Sequence, residues 1–424
     1  MNIDFTKASF KDFENIEGLD MYQRSAVFNR YLNYMKQDGR LNYRLESTSG
    51  CGPEMQLITA FNDGPSPYVS FVSNDYLGFT QHPEIKYAVL KSISEFGTGA
   101  GASPAIGGHF SYHEQLERRI AEFFGRESAI IYTTGYTANS ATLQCLLQKE
   151  DIAIVDMAVH ASVYEGCQLT NCRPFLHNRM DVLERVLQES QHNFRTKLVI
   201  IDGVYSQDGD LAPLKTILEL CRRYDAYLMV DDAHGVGVIG ETGRGLMEVH
   251  DVLQEVDIIT GTFSKTFGNV GGYVVASPEL INFLKYQSRQ HLFSATSTPA
   301  AAGILRAIDL IDEEPFWQSR LWDNIRYFRK GLIDLGMDIG TTESAIIPVK
   351  IGDAAVTGEA GRLLLKLGIY ANPIIYPAVS KKNARIRLSL MATHTHEQLD
   401  KALDAFEYVD QKLQISKTKT ITTT

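Results

Sequence analysis

The sequence predicts an α/β fold, with a mostly parallel central sheet in a large domain and a smaller α+β domain C-terminal to it. Three observations carry this expectation. From about Tyr68 to residue 300, apolar runs of strand length alternate with amphipathic helical stretches. That alternation is the mark of strands joined by helical crossovers on a parallel sheet. Beyond residue 300 the texture changes to long helical periodicity followed by short strands. The chain also has 424 residues, 44% of them hydrophobic, enough for more than one packed core.

The elements follow in order. Residues 1–68 read as a peripheral N-terminal segment, with a helical stretch at 22–35 and a Gly/Pro-rich turn at 49–53. Residues 69–300 form the large domain. Its expected strands are 129–132, 152–155, 197–201, 227–230, 256–260 and 272–275. Helices are expected at 84–95, 140–147 and 213–224. In the last, Leu214, Ile217, Leu218 and Cys221 share a face, and Pro213 suits a first helical turn. Residues 301–414 form the smaller domain, with periodic helices at 300–310 and 317–335, strands at 346–351 and 386–390, and a final helix at 396–413. The tail, 415–424, ends in the low-complexity run KTKTITTT and is expected to fray.

Composition removes several classes of function. Lys plus Arg is 41 and Asp plus Glu is 51, for a net charge of −10. Nonspecific nucleic-acid binding needs a basic face, so no nucleic-acid partner is expected. A local basic pocket remains compatible with an acidic surface. No stretch approaches the roughly 20 apolar residues of a membrane span. The five cysteines form no CxxC pair and read as reduced thiols. With no signal-like apolar run near the N-terminus, the expected location is the cytoplasm.

The chemistry gathers at strand ends, where parallel sheets collect their ligands. Strand 197–201 runs into Asp202-Gly203-Val204-Tyr205-Ser206. Strand 227–230 runs into Asp231-Asp232-Ala233-His234-Gly235, and strand 256–260 into Gly261-Thr262-Phe263-Ser264-Lys265. Parallel strands bring Asp231, His234, Thr262 and Lys265 to one edge. An acid, an imidazole, a hydroxyl and an amine are ordinary separately, and their convergence carries the information. Pyridoxal phosphate (PLP) needs an amine to hold its aldehyde and a carboxylate to keep its pyridine nitrogen protonated. Its phosphate needs N–H groups and hydroxyls at a helix start. Lys265 and Asp231 supply the first two. Thr133 to Asn139, between a strand and a helix, supplies the third, and His160 is placed to stack on the ring.

Other patterns are weaker. Gly97-Thr98-Gly99-Ala100-Gly101-Ala102 follows a helix rather than a strand and is not GxGxxG, so a dinucleotide site is not expected. His109 and His113 have helical spacing but no evident acid or Cys partner set, so no metal is expected.

Taken together these residues resemble the α-oxoamine synthases of PLP fold type I. The likeness runs from about residue 68 to 410. It rests on Ser73-Asn74-Asp75-Tyr76-Leu77-Gly78, Thr134-Gly135-Tyr136, His160-Ala161-Ser162, Asp202-Gly203-Val204-Tyr205-Ser206, Val230-Asp231-Asp232-Ala233-His234-Gly235, Gly261-Thr262-Phe263-Ser264-Lys265, Arg385-Ile386-Arg387 and Ala392-Thr393-His394-Thr395. The resemblance implies that Lys265 bonds the cofactor aldehyde, Asp231 pairs with the pyridinium and His160 stacks on the ring. It implies Ser206 and His234 at the phenolic oxygen, with Gly135, Tyr136 and Thr262 at the phosphate. Arg387 would grip the amino-acid carboxylate, with Asn74 and Ser103 near substrate. It also implies a homodimer with shared sites, in which Ser294 and Thr296 reach the partner's phosphate.

The implied reaction is decarboxylative condensation of an amino acid with an acyl thioester. The C-terminal half is similar to bacterial serine palmitoyltransferase through Thr342-Glu343-Ser344, Asn372-Pro373 and the run from Leu388 to Thr395. That likeness favours L-serine and a long-chain acyl-CoA. Pro104, where several members carry Arg, and Ala378, where oxononanoate synthases carry Thr, bear on the substrate and leave glycine, alanine or a sulfonated amino acid as the alternative. A PLP aminotransferase and a silent partner subunit are the rival classes.

Overall fold

The computed structural model describes residues 3–6 and 8–416; the expectation for the tail beyond 416 lies outside them. The chain divides into two compact units. One comprises Asn74–Ser206 and Asp210–Leu321. The other comprises the residues up to Ser73, Gln207–Gly209 and the residues from Trp322 onward.

The first unit is built on seven strands: β1 (Ser128–Tyr132), β2 (Ile152–Asp156), β3 (Asn171–Phe175), β4 (Lys197–Asp202), β5 (Tyr227–Asp231), β6 (Ile258–Thr262) and β7 (Gly272–Ala276). Their order across the sheet is β1-β7-β6-β5-β4-β2-β3. The strands from β6 to β3 pair in parallel, and β7 pairs antiparallel with both β6 and β1. Central strands are covered on both faces, which is why they read as unbroken apolar runs. In β5, Leu228, Met229 and Val230 are all fully buried. Burial of each such side chain stabilises by roughly 1.5–3 kcal/mol.

Helices α1 (Pro83–Phe96), α2 (Ser111–Phe123), α3 (Gly135–Leu146) and α4 (Ala161–Gly166) belong to this unit, as does α5 (Ala302–Glu313). Because α5 packs on α1 and α2, the first unit continues to Leu321 rather than ending near residue 300. Two local differences from the sequence reading matter for the site. The edge strand β3 was not expected. It contains Arg173 and Pro174 and is partly exposed, and proline is tolerated at a sheet edge. Helix α3 starts at Gly135, five residues before the expected 140, because Thr134 caps it by accepting from Thr137 N. Asn139 therefore stands inside the helix rather than in the preceding loop.

The second unit shows that the N-terminal segment is not separate from the C-terminal part. Strand Ser66–Ser70 pairs in parallel with Ile369–Tyr370 and antiparallel with Glu54–Ile58. A three-stranded antiparallel sheet joins Ile346–Gly352, Ala384–Ser389 and Asn372–Ile374. His394 is wholly enclosed here, its Nε2 3.0 Å from Ser70 O and its ring stacked on Phe71. No described helix is long and apolar enough to cross a membrane.

Candidate active site

In β4, β5 and β6, Asp202 is in register with Asp231, and Asp231 with Thr260. The strands are parallel, so the loops after them leave from the same edge. They enclose a cavity of about 240 Å³ whose lining includes Gly135, Tyr136, His160, Asp231, His234, Thr262 and Lys265.

Lys265 sits three residues past β6 in a turn fixed from below. Phe263 and Phe267, both 1% exposed, anchor the turn on either side. Thr266 Oγ1 donates to Val236 O at 2.8 Å, and Gly268 N donates to Lys265 O at 2.9 Å. The amine is left at the cavity, with Nζ 3.0 Å from His234 Nε2. The other ring nitrogen of His234 lies 2.6 Å from Tyr76 OH. Tyr76 OH in turn lies 3.4 Å from Asn74 Oδ1, which ties Asn74 to this group.

Asp231 and Asp232 are neighbours in sequence with different surroundings. Asp231 lines the cavity, and its Oδ1 accepts from Ala233 N at 3.1 Å. Asp232 is fully buried, and its Oδ2 accepts from Leu246 N at 2.6 Å. Its carboxyl is packed so tightly against Gly203, Gly235 and Gly245 that a Cβ on any of them would lie 2.0–2.4 Å from one of its oxygens. Burial pushes the Asp232 carboxyl up to about 7. Asp202, also buried, is raised well above the usual carboxylate range by burial and by the charge of Asp231.

A third group was not singled out from the sequence. Asn139 Nδ2 donates to Asp231 Oδ2 at 2.6 Å and to Ser162 Oγ at 3.0 Å, and Thr260 Oγ1 donates to Asn139 Oδ1 at 2.7 Å. Ser162 Oγ lies 2.8 Å from His160 Nδ1. The motifs around Asn139, Ser162 and Tyr76 were visible in the sequence. Beyond the short-range contacts of Tyr76 with Asn74 and Ser162 with His160, their side-chain partners lie 23 to 158 residues away, and no spacing rule reports such contacts.

At the start of α3, Gly135 approaches Thr262 so closely that a Cβ would lie 2.6 Å from Thr262 Cβ. Thr262 Oγ1 and Ser264 Oγ are 2.8 Å apart beside it. Tyr136 packs edge-on to His160, ring centroids 5.8 Å apart, and its hydroxyl donates to Glu165.

Several expected residues are not in that lining. Ser206 is partly buried beyond β4 and is not in the cavity lining. Ser103 precedes the short turn Pro104–Ile106 and accepts from Ile106 N and Gly108 N. Ser294 is exposed, and Thr296 donates to Gly108 O at 2.8 Å. Arg387 lies on Ala384–Ser389 of the other unit and donates to Ser389 Oγ at 2.8 Å. His109 does have acids close by, contrary to the reading from spacing. It precedes α2, so its partner Glu114, at 2.8 Å, falls outside helical spacing. Ligand atoms of His109, Glu114 and Glu117 lie within 4.8 Å of one another, but Glu117 already pairs with the Lys285 ammonium at 2.6 Å.

A mostly parallel sheet with an amine, a carboxylate, an imidazole and a helix start at one cavity is the architecture of a PLP-dependent enzyme of fold type I. Residues 66–406 match the family model for aminotransferase class I and II. The chain belongs to that family and, within it, to the α-oxoamine synthases. It is 41% identical over 350 residues to 8-amino-7-oxononanoate synthase 1 of Bacillus subtilis strain 168, covering 82% of this chain and 89% of that one. A variant of serine palmitoyltransferase from S. paucimobilis, solved with a bound PLP–myriocin aldimine, superposes with a TM-score of 0.88 at 28% identity, covering 94% of this chain and 100% of that one. The Sphingomonas wittichii serine palmitoyltransferase gives the same TM-score and coverage at 30% identity. PLP suits the residues present. The close approach at Gly135 brings the first turn of α3 to the cavity, where its N–H groups have no intrahelical acceptor and favour an anion.

Proposed function

We propose that the chain condenses a small L-amino acid, alanine ahead of glycine, with an acyl thioester, releasing the thiol and carbon dioxide. The observation that carries this choice is the 41% identity over 350 residues to an 8-amino-7-oxononanoate synthase. The serine palmitoyltransferases align at only 28–30%. The preference therefore moves from serine, favoured by the C-terminal motifs, to the smaller amino acid. The name of the relative's product describes the substrates by simple disconnection. Its amine-bearing end is alanine without the carboxyl, and the rest is a dicarboxylic acyl chain.

In this reading Lys265 Nζ would hold the cofactor aldehyde, and the same amine is placed to take the substrate's Cα proton. When bound, PLP supplies the electron sink that stabilises negative charge at Cα. Asp231 would hold the ring nitrogen's proton, and His234 with Ser206 would meet the phenolic oxygen. Gly135, Tyr136 and Thr262 seat the phosphate. His160 would cover the ring face. Arg387 fixes the substrate carboxylate, with Asn74 and Ser103 beside the substrate. The Cα–acyl bond forms as the C–S bond breaks and the thiolate leaves. The carboxylate then departs as carbon dioxide, and a proton returns to Cα. In a homodimer, Ser294 and Thr296 reach the partner's phosphate.

The test pairs alanine, glycine, serine and cysteate with a dicarboxylic acyl-CoA and a long-chain acyl-CoA, scored by free thiol and product mass. Alanine with the dicarboxylic donor is expected to lead. A kcat/KM for serine with the long-chain donor tenfold above it overturns the choice.

A further inference from the structure

Asn139 is 2% exposed, as close to Asp231 as a hydrogen bond allows, and bonded to two further side chains, Ser162 and Thr260. We propose that Asn139 is a positioning residue that fixes both the carboxylate of Asp231 and the ring tautomer of His160. The proposal rests on the roles given to those two residues above.

The geometry sets the direction of every proton. Asp231 Oδ2 is 2.6 Å from the Asn139 amide, so that end of the amide must be the NH2. A turned amide would set two acceptors against each other. Thr260 holds the amide in this sense, since its hydroxyl donates to Oδ1 from a fully buried position. The same NH2 donates to Ser162 Oγ. Ser162 then has its own hydrogen for His160 Nδ1 at 2.8 Å, and Ser162 N also points at that atom from 3.3 Å. With two donors on Nδ1, the ring hydrogen belongs on Nε2, the atom free to meet a ligand. The order of donation is Thr260 to Asn139, Asn139 to Asp231 and Ser162, and Ser162 to His160.

The two oxygens of Asp231 are thus held from different sides, Oδ2 by Asn139 and Oδ1 by Ala233 N. The neighbouring Asp202 does not compete for the charge, because burial and the Asp231 charge favour its protonated form. A buried polar network satisfied at each of these links is stiff, and loss of one donor leaves the others misdirected.

The test uses Asn139→Ala, the near-isosteric Thr260→Val, and Ser162→Ala. PLP affinity is titrated between pH 6 and 9, and the His160 tautomer is read in the apoprotein by long-range proton–nitrogen NMR. Asn139→Ala is expected to weaken PLP binding about tenfold, to steepen its pH dependence, and to mix the two tautomers. Thr260→Val should move the pH dependence, and Ser162→Ala the tautomer alone. These two keep the proposal testable if Asn139→Ala fails to fold. A folded Asn139→Ala with wild-type pH dependence and a pure Nε2–H tautomer overturns it, as do unchanged readouts in both other variants. Asp231→Asn runs in parallel. If that variant binds PLP like wild type, the role given to Asp231 falls; if only Asn139→Ala is silent, the positioning role alone falls.

Discussion

Lys265 Nζ lies 3.0 Å from His234 Nε2, and Tyr76 OH holds the opposite nitrogen of that ring at 2.6 Å. The amine therefore faces an imidazole whose orientation is set from behind. An ammonium at Lys265 requires Nε2 to accept, which places the ring hydrogen on Nδ1, toward Tyr76. Tyr76→Phe removes this support. A hydrogen bond of this kind is worth about 1 kcal/mol net, so kcat/KM should fall roughly five- to tenfold. The pH–rate profile should shift as well. An unchanged rate and profile would remove Tyr76 from the mechanism.

Lys265→Ala should leave the fold intact, since the anchors of its turn are Phe263, Thr266 and Phe267 rather than Lys265 itself. Borohydride reduction followed by peptide mass mapping should trap PLP on Lys265 in the wild type and on nothing in the variant. A reduced adduct at another lysine would reject the assignment.

Gly235→Ala tests the packing around Asp232. The new Cβ would lie 2.1 Å from Asp232 Oδ1, and the carboxyl cannot retreat because Gly203 and Gly245 close the other sides. Overpacking of this type costs about 1–3 kcal/mol, and more where the displaced group is a buried hydrogen-bonded acid. Urea unfolding should show a lower midpoint. A midpoint equal to wild type would mean that the cage around Asp232 is soft.

Stability should peak near neutral or slightly acidic pH. His177 lies between Asp156 at 3.0 Å and Asp210 at 2.9 Å. Burial alone would lower its pKa, but the two carboxylates outweigh it and raise the value to about 10. A raised folded pKa adds stability that is complete below the unfolded value, about 6.5, and is lost as pH rises through about 10. His394 has the opposite sign. Burial lowers it to about 4, so its contribution is present above about 6.5 and is lost as pH falls through about 4. Thermal melts from pH 4 to 10 should decline on both sides. His177→Gln should flatten the alkaline limb and leave the acid limb. Identical alkaline slopes in the two proteins would exclude His177 as the cause.

Much of the large sheet was legible because its strands are buried on both faces. An apolar run such as Leu228-Met229-Val230 leaves few alternatives. The edge strand Asn171–Phe175 was not legible, since its exposed face carries no periodic signal and Pro174 argues against a strand. Strand Ser66–Ser70 was hidden for another reason. One partner, Ile369–Tyr370, is some 300 residues away and only two residues long, and the other, Glu54–Ile58, lies in the segment read as peripheral.

By itself the sequence determined the α/β class, the sheet's parallel core, and which polar residues stand at strand ends. Hydrophobic patterning and local turn chemistry act over a few residues, and these features depend on nothing longer. Tertiary structure alone decided that Asp231 lines the cavity while Asp232 is walled in by three glycines. It also decided that Asn139 meets Asp231 across 92 residues of chain, and that Tyr76 meets His234 across 158. Such contacts are set by how strands stack in the sheet and where helices land on it. Each is a consequence of packing many elements together, and no window along the chain contains both partners.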